Sequence, residues 1–145
     1  MAATVSDILK HKGDHVVTID PDRSVSSVAE VLTDHRIGAT PVTDGQGRLI
    51  GIISERDIIR GLTQYGAAAL SLPAERLMTH EVMTCSSGDP IVGLMEVMTN
   101  RRIRHLPVVQ NDRLQGIVSI GDVVKQRLAE AQFELDALRR YITSG

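Results

Sequence analysis

Gly51-Ile-Ile-Ser-Glu-Arg-Asp57 returns later in the chain as Gly116-Ile-Val-Ser-Ile-Gly-Asp122, and the stretch before it returns as well: His35-Arg-Ile-Gly-Ala-Thr-Pro-Val42 matches Arg101-Arg-Ile-Arg-His-Leu-Pro-Val108. The Pro-Val pairs lie 66 residues apart (41 and 107) and the Asp residues 65 apart (57 and 122), so one residue is lost in the turn between them. Working outward, Val16-Val-Thr18 falls on Val82-Met-Thr84 and Val25 on Ile91, and Asp7-Ile8-Leu9 meets Arg76-Leu77-Met78 after a further three-residue adjustment. Self-similarity on this scale marks two copies of one supersecondary unit. The copies are about 60 residues each, and residues 61–73 join them.

Each copy reads the same way. A short helical lead-in precedes a β-branched strand at 15–19 or 82–85. An amphipathic helix follows, with Val25, Val28, Ala29 and Leu32 on one face in copy one. In copy two, Asp89-Pro90 predicts an N-cap followed by proline at the first helical position. Two strands come next, joined through Asp44-Gly45-Gln46-Gly47 or Gln110-Asn111-Asp112, where Gly and Asn tolerate the positive φ of a tight hairpin. A second helix is expected directly after Ser54 and Ser119. The unit is βαββα, an α+β arrangement with a small sheet backed by two helices. Its apolar face is too small a core to stand alone, so two copies should pack about a pseudo-twofold axis. The expected division is repeat one over 1–66, repeat two over 67–126 and a C-terminal helical extension over 127–145.

Composition narrows the function classes. At 145 residues the chain can bury roughly 68–70% of its unfolded surface without a disulfide or metal. Sixteen Lys and Arg against 18 Asp and Glu give a net charge of −2, which disfavours nucleic-acid binding. Tyr65, Phe133 and Tyr141 are the only aromatics, too few for base-stacking platforms. Cys85 is the only cysteine, which excludes an internal disulfide and any CxxC zinc site and fits a reducing, cytoplasmic setting. Residues 1–12 lack a signal-peptide core, and the longest uncharged stretch, 61–74, is broken by Gly66 and Pro73, so no membrane span is predicted.

The recurring Gly-aliphatic-aliphatic-Ser-x-x-Asp ends a strand and opens a helix, where free backbone N–H groups favour an anion or a polar ligand. Ser and Asp three residues apart share the first helical turn. The carboxylate can accept both hydroxyls of a ribose while Ser and the helix N–H groups hold a phosphate. The same pair also satisfies a capping-box pattern, with Asp in place of Glu or Gln. Sequence alone leaves both readings open, although recurrence together with Pro-Val weighs toward a ligand.

On these residues, Ile-x-x-x-Pro-Val, Gly-Ile-aliphatic-Ser and the helix-opening Asp, both copies resemble CBS domains, and the tandem resembles a stand-alone Bateman module over residues 4 to about 126. The resemblance implies a regulatory, non-catalytic protein. It would bind an adenosine-containing ligand (AMP, ADP or ATP, alternatively S-adenosylmethionine or NAD) in clefts shared by the two copies. One cleft would use Ser54, Arg56 and Asp57 with Val82, Met83, Ile103, Arg104 and His105. The other would use Ser119 and Asp122 with Val16, Val17, Gly38 and Ala39. Arg104 and His105 stand where nucleotide-sensing members carry basic residues. Gly38 and Ala39 offer no such groups, so phosphate should favour the first cleft.

Other constellations are weaker. His11 and His15 flank Asp14 at i,i+4 spacing, but Gly13 argues against a helix and no third metal ligand has clear spacing. Cys85 and His105 lack an orienting third group for nucleophilic catalysis. Arg101, Arg102 and Arg104 read as helix C-terminal charges, some turned into the cleft. From Val124 onward, Leu128, Ala131, Leu135, Leu138 and Ile142 follow at spacings of 4, 3, 4, 3 and 4, the first counted from Val124. They form a heptad seam flanked by Lys125, Arg127, Glu130, Glu134, Arg139 and Arg140. This stripe either folds back on its own chain or packs against a second copy, and a homodimer is the expectation. A ligand-free interaction scaffold is the rival reading, and an unidentified target protein is the partner either would serve.

Overall fold

The structure, a computed structural model, describes residues 3–13 and 16–144. In chain order the elements are α1 (Val5–Lys12), α2 (Val25–His35), β1 (Ala39–Thr43), β2 (Leu49–Ser54), α3 (Glu55–Tyr65), a 3-10 segment (Gly66–Ser71), α4 (Ala74–Leu77), α5 (Ile91–Arg101), β3 (His105–Gln110), β4 (Arg113–Ser119) and α6 (Ile120–Ser144). This is the expected α+β tandem with a C-terminal helix. β1 pairs antiparallel with β2, and β3 with β4. The second hairpin turns on Asn111 and Asp112, both at positive φ, as a two-residue turn of the primed type demands. In the first hairpin, Asp44 Oδ1 accepts the N–H groups of Gln46 and Arg48, which holds its carboxyl below the usual range.

The first strand of each repeat is shorter than its β-branched sequence suggests. Of the strand expected at 15–19, residue 15 lies outside the described residues, and pairing is confined to Ile19 beside Val42; of 82–85, it is confined to Cys85 beside Val108. The cause is the Pro-Val motif. Ile19 donates to Pro41 O and accepts from Thr43 N–H, a single parallel rung. The next rung upstream would need an N–H from Pro41, which has none. The Thr40 hydroxyl donates to Val17 O instead, at 2.7 Å. Cys85 repeats the rung with Pro107 and Val109, and Pro107 stops it in the same way.

Two further boundaries move. Helix α5 starts at Ile91 with Pro90 at the capping position, because the Asp89 carboxylate is used one turn earlier, accepting the Ser86 N–H at 2.8 Å. Residues 61–65 of the expected joining segment continue α3 as helix, and the 3-10 segment makes the actual passage to Pro73.

The lead-in helices are exchanged between repeats. Val5 and Ile8 of α1 lie in the core of the second repeat with Ile91, Leu94, Met98, Leu106, Val108, Val118 and Val123. Ala74, at the start of α4, and Met78 just after it lie in the core of the first with Ile19, Val25, Val28, Leu32, Val42, Ile53 and Ile58. Close approach requires glycine at both crossings: a Cβ on Gly116 would fall 2.8 Å from Leu9 Cδ2, and one on Gly51 would fall 2.5 Å from Met78 Sδ. Arg48 pairs with Arg113, its own repeat equivalent, which places that bridge on the pseudo-twofold axis. No helix among the described residues is long and apolar enough to cross a membrane.

Candidate functional site

The strand ends and helix starts of the two repeats meet at a cavity of about 320 Å³, at the small end of the roughly 300–1,000 Å³ usual for small-molecule sites. All eight residues assigned to the first cleft line it: Ser54, Arg56, Asp57, Val82, Met83, Ile103, Arg104 and His105. Gly38 and Ala39, assigned to the second cleft, line this cavity too, because β1 and β3 begin side by side near the axis. Residues not singled out as cleft candidates from the sequence complete the wall, among them Ile52, Glu55, Arg60, Thr79 and Glu81. Arg60 was legible as the residue one turn beyond Asp57. Thr79 carried no local signal.

Asp57 is the one buried charged side chain among the described residues, 5% exposed. Its Oδ2 accepts from the Ser54 N–H at 2.9 Å and the Ser54 hydroxyl at 3.0 Å, while its own N–H donates back to Ser54 Oγ. That is a capping box, so the structural reading of Ser-x-x-Asp holds. A cap alone does not require burial. Oδ1 accepts from the Thr79 hydroxyl at 3.2 Å and from Arg60 Nη1 at 3.3 Å, and the carboxylate is a fixed acceptor in the cavity wall. Thr79 is held there by reciprocal backbone bonds with Ile52, which also carry residues 81–83 over the cavity.

On the opposite side, α5 ends with Arg102 in the left-handed region at φ 54, and Ile103 N–H closes back on Met98 O. A left-handed arginine costs about 1–2 kcal/mol, which the neighbouring packing must offset. The turn delivers Ile103, Arg104 and His105 to the cavity in succession. Of the three arginines near 101–104, Arg102 and Arg104 face it.

His105 packs closely against Gly38. A Cβ on Gly38 would lie 3.3 Å from His105 Cε1 and 3.7 Å from the Glu55 carboxyl carbon. Burial, then Lys12, with a smaller push from Arg104, lowers the imidazole pKa from 6.5, and Asp122 and Glu55 oppose this in part. The folded protein therefore binds its proton less readily than the unfolded chain. Stability should be full above pH 6.5 and decline as pH falls from there toward the lowered folded value, since the unfolded state then takes up more protons. We expect the melting temperature of the ligand-free protein to drop across that window and the drop to flatten in His105→Gln. An equal drop in both proteins would assign it to other groups.

The remaining candidates separate from this cavity. Ser119 and Asp122 form the equivalent cap of α6, with the Ser119 N–H on Asp122 Oδ2 at 2.9 Å. Lys12 Nζ also reaches Asp122 Oδ2, at 2.7 Å, and hydrogen bonding from Lys12 and the Ser119 N–H outweighs burial to hold this carboxyl below its usual range. Val16 and Val17 are half-buried on the segment leading to Ile19. Cys85 is buried in the second core, and burial raises its thiol to about 12, which leaves it protonated and without nucleophilic character at neutral pH. His15, with the metal reading it shares with His11, lies outside the described residues.

Comparison with known proteins identifies this architecture. The CBS domain family model matches twice, over residues 4–64 and 74–129, and the chain belongs to that family as a tandem CBS pair. It is similar to the CBS-domain containing protein ATU1752 from Agrobacterium tumefaciens, 46% identical with a TM-score of 0.83, covering 88% of this chain and 95% of that one. The mitochondrial CBS domain-containing protein CBSX3 of Arabidopsis thaliana is 34% identical over 99% of this chain and 74% of its own length. The CBS domain pair of protein MJ0100, solved in complex with 5′-methylthioadenosine and S-adenosyl-L-methionine, is 28% identical with a TM-score of 0.80, covering 90% of this chain and 99% of that one.

Proposed function

We propose that this CBS pair is a non-catalytic regulatory module that binds an adenine nucleotide, AMP, ADP or ATP, in the cavity around Asp57. The observation that carries the reading is the buried Asp57 carboxylate facing a cavity that also gathers Arg56, Arg104 and His105. Asp57 accepts the ribose hydroxyls. Ser54 and the first-turn N–H groups of α3, with the arginines, take the phosphate. Ile52, Val82, Met83 and Ile103 enclose the base. The adenosine moiety shared by both ligands of the MJ0100 pair supports the same class here. The cluster of guanidinium groups favours an anionic phosphate over a sulfonium, and about 320 Å³ suits a mononucleotide better than NAD.

In this reading residues 1–66 and 67–126 form the sensor and 127–145 an arm that joins two copies as a homodimer. The output is a population shift of that dimer toward the state the ligand prefers, read by a target protein. The buried free thiol of Cys85 fits a reducing compartment, and we place the protein in the cytoplasm.

Adenine nucleotides should raise the melting temperature. A ligand bound only to the folded state stabilises by RT ln(1 + [L]/Kd), about 2.7 kcal/mol at a hundredfold excess over Kd. Guanine nucleotides should do less, because backbone and apolar contacts read the purine edge. Equal shifts from both, or none from either, would refute the proposal and favour the ligand-free scaffold.

A further inference from the structure

The cavity around Asp57 is unevenly charged. Among the described residues its wall carries four arginines and three carboxylates, a net charge of +1 while the His105 imidazole is neutral. A phosphate monoester brings about −2 at neutral pH, so one more proton on the wall would balance it. His105 is the lining residue whose ordinary titration lies near neutrality. The fold has poised that ring. It stands at the first residue of β3 and converges with the Glu55 carboxylate on Gly38. Burial, before any charge, keeps the ligand-free ring neutral, and the four charges about it oppose one another: Lys12 of α1 and Arg104 repel a proton, whereas Asp122 of α6 and Glu55 of α3 attract one. An anion arriving in the cavity decides the balance.

We propose that His105 is the specificity-determining residue of the first cleft and that a phosphorylated ligand enters together with a proton: solvent supplies the proton to the free imidazole nitrogen, and the charged ring donates an N–H to a phosphate oxygen. Such a charge-assisted bond is roughly twice as strong as a neutral one. An opposite charge within about 4–6 Å raises the proton affinity of a base about ten- to a thousandfold, enough to charge a ring that is neutral when the cavity is empty. A ligand without phosphate leaves it neutral. Preference for nucleotide over nucleoside therefore grows as pH falls toward neutrality, and occupancy reads nucleotide and pH together. The inference rests on the nucleotide reading of the Asp57 cavity and adds its regulation by pH.

The test is calorimetric titration of the wild type and His105→Gln with AMP and with adenosine, between pH 7 and 8, in two buffers of different ionisation enthalpy. One proton taken up per ligand changes affinity by at most about tenfold per pH unit. We expect AMP to bind the wild type about three- to tenfold more tightly at pH 7 than at pH 8, with a heat that depends on the buffer, and both effects to be lost in His105→Gln and with adenosine. The titration of the phosphate itself is common to both proteins. AMP binding without proton uptake would overturn the proposal, as would equal uptake in His105→Gln or with adenosine. Failure of AMP to bind the wild type at all would refute the nucleotide reading and this proposal with it. Proton NMR on isotope-labelled, assigned wild type gives a second readout that needs no variant to fold: the His105 ring should titrate at higher pH with AMP bound than without. An unmoved or lowered midpoint would overturn the proposal.

Discussion

Asp57→Ala is expected to abolish AMP binding at the first cleft. Each charged hydrogen bond lost from a ribose hydroxyl contributes about 1.5–3 kcal/mol, or roughly ten- to a hundredfold in affinity, and the carboxylate can take two. The variant also loses its half of the capping box around Ser54, which costs about 0.5–2 kcal/mol in stability. Asp57→Asn controls for this: it keeps the side-chain volume and one oxygen for the Ser54 N–H, and should melt closer to the wild type while still binding weakly. Arg104→Ala should weaken AMP more than adenosine, since it removes a charge for the phosphate alone. Asp122→Ala should leave the affinity of the first cleft intact. Titration calorimetry reads all four, and retention of AMP affinity in Asp57→Ala with its loss in Asp122→Ala would show that the clefts are assigned the wrong way round.

How far the sequence reaches is visible in these same residues. Ser54–Asp57 and Ser119–Asp122 were legible because a strand end and a helix cap are local events, and because the pattern recurs in two copies. The first strands at 15–19 and 82–85 were over-read. β-branched composition reports what a segment can do, whereas their pairing is limited by a missing donor on the neighbouring strand, at Pro41 and Pro107. The exchange of α1 and α4 between repeats had no sequence signal. It depends on Leu9 lying over Gly116 and Met78 over Gly51, contacts between residues far apart in the chain. Lys12 and Thr79 were missed for the same reason, since each enters its site from the lead-in of the other repeat. Gly38 read as a position without chemistry, and the close packing of His105 against it had no sequence signal. At the other end of the chain, the heptad spacing was plain but left open whether the stripe folds back.

Deleting residues 126–145 should convert a dimer to monomers while leaving the monomer folded. The structure excludes the fold-back alternative for this stripe: Leu128, Leu135, Leu138 and Ile142 are 66%, 43%, 55% and 67% exposed, whereas Val123 at the start of the same helix is fully buried. α6 has 25 residues, a length of about 37 Å, and its last four turns leave the body that anchors its first. A single exposed helix of that remaining length is marginal in water and needs a packed face to persist. In the proposed homodimer a second copy would supply one. Burying the four side chains is worth about 1.5–3 kcal/mol each per chain, and Glu134 and Arg139 flank the seam at positions where a parallel partner presents the opposite charge. Association costs on the order of 4–15 kcal/mol, so only part of that burial appears as affinity. Even about 4 kcal/mol of it corresponds to roughly a thousandfold in the dimer dissociation constant. Sedimentation of full-length and truncated protein over a dilution series should resolve that change. The truncated monomer should keep its melting temperature, because Val118 and Val123 remain in the second core. An unchanged dimer after truncation would move the interface to the body of the pair and leave the stripe without a partner.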